Sequence, residues 1–114
     1  MAQVSQAEQP PAAEDGWLST KIDHYLDYEL RAWRSVPEYA ARWPEMEALD
    51  QETFHLHWKG VTEGYLRELE GYASEHRLSA QQLARYGQLR ALIARHRLTL
   101  EALLGEEPAP SRAG

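Results

Sequence analysis

From residue 54 to residue 72 the large apolar side chains recur as Phe54, Trp58, Val61, Tyr65, Leu69 and Tyr72. At about 100° per residue these six fall within roughly 60° of one another. Only an α-helix gathers them on one face, and a helix carrying such a stripe must bury it. The stripe therefore commits the middle of the chain to helical packing.

The same wheel decides the one motif that looks like chemistry, ETFHLHW at 52–58. His55 and His57 diverge by about 200° on a helix, so they cannot hold one ion between them. Glu52 and His55 do share a face, three residues apart. Such an E-x-x-H pair serves di-iron carboxylate bundles when a neighbouring helix adds a glutamate. Glu29 is the available partner, because it interrupts an apolar stripe formed by Leu18, Ile22, Tyr25, Leu26 and Trp33. A carboxylate there needs a partner, a proton or a ligand, and a salt bridge or hydrogen bond is the favoured expectation. A divalent-metal site at Glu29, Glu52 and His55, completed by dimerisation, is the alternative. No cofactor is otherwise expected.

Helix boundaries are marked elsewhere. In SVPE, Ser35 is placed to cap a short helix, with Pro37 in its first turn and Glu38 at the reciprocal position. Pro44 ends that helix. Asp50 either caps the next long helix, which runs to about Glu75, or lies within it. HRLSAQQL at 76–83 is the clearest break: Ser79 and Gln82 form a capping box, with Leu78 and Leu83 in staple positions. The last helix starts at Ala80 and runs to about His96, or on to Leu104 with Gly105 as its stop. HRLTLEAL at 96–103 echoes the break, which is read as one turn-and-cap solution used twice.

Small residues make a second pattern. Gly60, Gly64 and Gly71 recur on one face of the long helix, and Ala84, Ala91 and Ala94 on one face of the last. Folding the chain at 76–79 sets Gly71 against Ala84, Gly64 against Ala91 and Gly60 against Ala94. Backbones so matched can approach closely. The expected fold is all-α: a small helical bundle with a close-packed C-terminal αα-hairpin and a shorter N-terminal helical arm. Residues 16–104 form the domain, between disordered tails at 1–15 and 105–114. In this arrangement Leu89 and Ile93 point away from the hairpin mate. With four tryptophans and six tyrosines in so short a chain, they are expected to meet a second copy in a homodimer.

Charge narrows the partners. The net charge is −6 and the pI about 5.3, which opposes a general affinity for nucleic acid. Residues 76–100 nevertheless carry Arg77, Arg85, Arg90, Arg95 and Arg97 and no acid. Complementarity with the acidic first part of the chain is the favoured reading, and phosphate binding by a nucleic-acid regulator the alternative. With no cysteine, thiolate metal sites and thiol nucleophiles are excluded. The N-terminus shows neither a basic start nor an apolar run, and no stretch is apolar enough to span a membrane, so a cytoplasmic location is expected. No nucleophile–base pair or phosphate loop is present, so the expected role is non-catalytic: a helical interaction or regulatory protein that self-associates.

Overall fold

The computed structural model describes residues 2–105, with side chains from 16 to 105. The side chains of the tail expected at 1–15, and the tail expected beyond Gly105, lie outside the described residues. The helices are α1 (Ala2–Arg34), α2 (Val36–Arg42), α3 (Ala48–His57), α4 (Glu63–Ser74) and α5 (Ala80–Leu104). A 3-10 turn at Trp43–Glu45 joins α2 to α3, and a π turn at Trp58–Thr62 joins α3 to α4. No strand occurs among the described residues. The fold is all-α, a small helical bundle.

α1 is its centre. Its stripe Ile22, Leu26, Leu30 and Trp33 is buried, at about 1.5–3 kcal/mol for each large apolar side chain removed from water. It runs antiparallel to α4. Lys21 Nζ lies 2.9 Å from Glu68 and donates to the Tyr72 hydroxyl at 3.0 Å, and Tyr25 stacks on Tyr65 with centroids 4.0 Å apart. The Tyr72 hydroxyl first, and then Glu68, push the Lys21 ammonium above its ordinary range. Against α5, α1 runs parallel. Gln82 Nε2 donates to the Ser19 carbonyl (3.2 Å), to Ser19 Oγ (3.1 Å) and to Asp23 (3.0 Å), and Arg85 reaches Asp27 one turn on.

The expected glycine–alanine register between α4 and α5 does not form. α1 packs along both α4 and α5, while those two helices scarcely approach each other. A Cβ added at Gly60, Gly64 or Gly71 meets nothing within 4 Å. Ala84, Ala91 and Ala94 are exposed. Leu89 is fully buried and serves the core of its own chain, not a contact between copies, and Ile93 is half-buried beside it. α1 is also no short arm: its described side chains face both partners along four turns.

Local signals divide in the same way. The capping box of α5 forms, with Ser79 Oγ accepting from Gln82 N at 3.1 Å and Gln82 Oε1 accepting from Ser79 N at 2.9 Å. Leu78 enters the core, but Leu83 stays exposed. Gly105 ends α5 in the left-handed region at φ 74°, where glycine carries no Cβ penalty. Ser35 does not cap α2; it is helical itself, and its hydroxyl donates back to the Ala32 carbonyl at 2.6 Å. Asp50 lies within the first turn of α3. The second copy of the echo, 96–103, is uninterrupted helix.

Two outcomes are expected. Gly64→Ala raises the melting temperature, because the added methyl meets open space and alanine favours the helix by about 1 kcal/mol. Gln82→Ala lowers the urea midpoint by the equivalent of about 1–2 kcal/mol, since it removes both the cap and the tie to α1.

Candidate functional site

The π turn reshapes the stripe that dominates the sequence. A π turn carries one residue more than an α turn, so the face that continues from Trp58 passes through Thr62 and not Val61. Thr62 is buried, Val61 only partly so. Gly60, a weak helix former inside the turn, was the sequence signal for this break.

On the outer side of the turn lies a cleft of about 720 Å³ between the end of α1, α2 and α3. Phe54 is its aromatic hub, with Tyr39, Trp43 and Trp58 rings at 4.5, 5.4 and 5.5 Å. The Tyr28 hydroxyl bonds His57 Nε2 and lies 3.4 Å from Thr62 Oγ1. Nothing further among the described residues orients the exposed imidazole, so a catalytic relay is not assembled. Sequence reasoning missed this cleft because its walls come from three elements whose relative placement no local pattern encodes.

The expected metal set is not brought together: no group of three or more His, Asp or Glu side chains among the described residues is placed to hold an ion. Glu52 is exposed and His55 half-exposed. Glu29 is fully buried, as expected, but without the expected partner. Neither of its carboxyl oxygens accepts a hydrogen bond from a protein group, and the Trp33 Nε1–H donates to none. Burial pushes its carboxyl up to about 8; the Trp33 N–H pulls down without completing a hydrogen bond, and the Glu70 carboxylate adds a smaller push upward.

The five arginines of 76–100 do not converge either. Arg85 is held between Asp23 (3.7 Å) and Asp27, Arg77 lies 3.4 Å from Glu75, and Arg90 sits over the Tyr86 ring. Arg95 and Arg97 are exposed. Complementarity between the acidic α1 and the basic α5 is realised at Arg85.

What remains open to a partner is the outer face of α5. Ala80, Ala84, Gly87, Ala91, Ala94 and Leu98 lie directly opposite the buried Gln82, Leu89 and Leu100. Leu98 is 78% exposed and Leu83, on the flank, 51%. Leu49 and Leu56 are similarly bare on α3. Among the described residues no helix is long and apolar enough to cross a membrane. No family model, curated protein or solved structure matches the chain.

Arg85→Ala is expected to cost less than about 1 kcal/mol in chemical denaturation, and less again at high salt, because its two aspartates are largely exposed.

Proposed function

We propose that this protein is a non-catalytic helical interaction module that self-associates through the outer face of α5. The observation that carries the reading is the exposure of an unbroken small-residue path, Ala84–Gly87–Ala91–Ala94, between exposed Leu83 and Leu98. A solvated helix face ordinarily carries long polar side chains. Small residues leave room for a second backbone, and leucines at either end supply apolar area to bury.

The path is nearly self-complementary. Two antiparallel copies of α5 about a two-fold axis near residues 90 and 91 set Leu83 opposite Leu98 and Gly87 opposite Ala94, each pair occurring twice. Such an isologous contact closes at the dimer. The arginines of α5 flank the contact with their stems while their charges stay in water. Because both copies bring arginines and few acids, added salt strengthens the association by screening. Binding of α5 to nucleic acid would respond in the opposite sense, weakening as salt rises.

Light scattering is the test. At high micromolar concentration the wild-type mass is expected at twice 13.1 kDa, and Ala91→Glu returns it to 13.1 kDa with the circular dichroism unchanged. A wild-type mass of 13.1 kDa at every concentration and salt level removes the proposal.

A further inference from the structure

Glu29 is the one fully buried ionisable side chain among the described residues, and neither of its oxygens has a completed hydrogen bond. Its own helix contributes Leu26, Leu30 and Trp33. From α4 the charge that acts on it is Glu70, of the same sign. The α1–α5 register sets it level with Tyr86, Leu89 and Arg90. The Tyr86 phenol is half-buried, itself pushed up by burial and by Glu70, and Arg90 is spent over the Tyr86 ring. An ionised carboxylate in this position has no counter-ion, and the nearby Trp33 N–H completes no hydrogen bond to it, so the charged form is costly to hold in place.

An exit lies close by. Trp33 walls a groove of about 280 Å³ between α4 and α5, with Leu66, Glu70, Ile93 and Arg97 around it. α4 and α5 approach each other closely at few points, fewer than α1 does with either, so their separation is the least resisted movement at this groove. We propose that loss of the Glu29 proton opens the bundle at this groove, moving Trp33 aside so that the carboxylate reaches water, and that the protein thereby carries a proton-controlled conformational switch.

The direction follows from burial. An acid whose folded pKa lies above its unfolded value binds its proton more tightly when folded. The stabilisation from protonated Glu29 is thus complete below its unfolded value of 4.5 and lost as pH climbs through about 8. Above that point the open population grows about tenfold per pH unit. Tyr25 and Tyr86, both raised from 10 by burial first, titrate above this window.

The experiment is acrylamide quenching of tryptophan fluorescence, with far-ultraviolet circular dichroism in parallel, from about pH 6 to about pH 10. Wild-type quenching is expected to rise through one proton near pH 8 while helicity holds. In Glu29→Gln the rise is absent, and in Glu29→Leu, which also removes the unpaired polar atoms, it is absent in a more stable protein. Trp33→Phe, read through the remaining tryptophans, moves the transition to higher pH, because the lost N–H favoured the ionised form. Flat wild-type quenching, or the same rise in Glu29→Leu, overturns the proposal. So does a fall in helicity coincident with the rise, which would be global unfolding.

Discussion

Everything in this bundle depends on α1 being buried on two sides at once. One helix supplies the apolar face for α4, running against it, and for α5, running with it. Each of its large side chains is worth about 1.5–3 kcal/mol when removed from water, far more than the close approach of two glycine–alanine faces returns. Contact between α4 and α5 would bury methyl groups at the expense of Leu26, Leu69 and Leu89. Burial of the larger side chains prevails, the two helices stay apart, and their small residues turn outward.

That competition explains what could be read from residues alone. The helices were legible because spacing and capping are local: the stripe of α1, the Ser79–Gln82 box and the Gly105 stop all appear where their chemistry puts them. The facing of the small residues was not, because two compatible small-residue stripes can face each other or face away, and only the placement of α1 decides between them. Ser35 fails as a cap for a related reason. α1 continues helically through it, so its hydroxyl finds the Ala32 carbonyl before it can reach forward. Glu29 was legible as buried from its position in the stripe, but its lack of a partner was not, because donors from three helices had to be placed first.

The π turn shows how one residue redirects a surface. Without it the stripe from Phe54 would pass through Val61, an apolar residue, and the face would remain regular. With it Thr62 goes inward and its hydroxyl approaches that of Tyr28, while the aromatic rings ahead of the turn swing toward α2 and frame a cleft. A π turn costs helix geometry, and such turns gather at functional positions in proteins. Here its structural consequence is specific: it separates the register of α3 from that of α4, so that α3 packs on the α1–α2 corner and α4 on the body of α1.

The two features that packing alone does not require lie on opposite sides of α5. Its inner face helps to enclose Glu29, which a leucine would replace without loss of shape complementarity. Its outer face carries Ala91 and Gly87, where a charged residue would cost the folded chain nothing. A full helix diameter separates them, and they share no partner. Free energies at such distant sites add. Self-association and the titration of Glu29 are therefore separable by substitution, so that a monomeric Ala91→Glu protein retains the titration and a proton-insensitive Glu29→Leu protein retains the dimer. If instead the two properties move together, the link must run through α5 as a rigid body. The inner and outer faces would then belong to one two-state element.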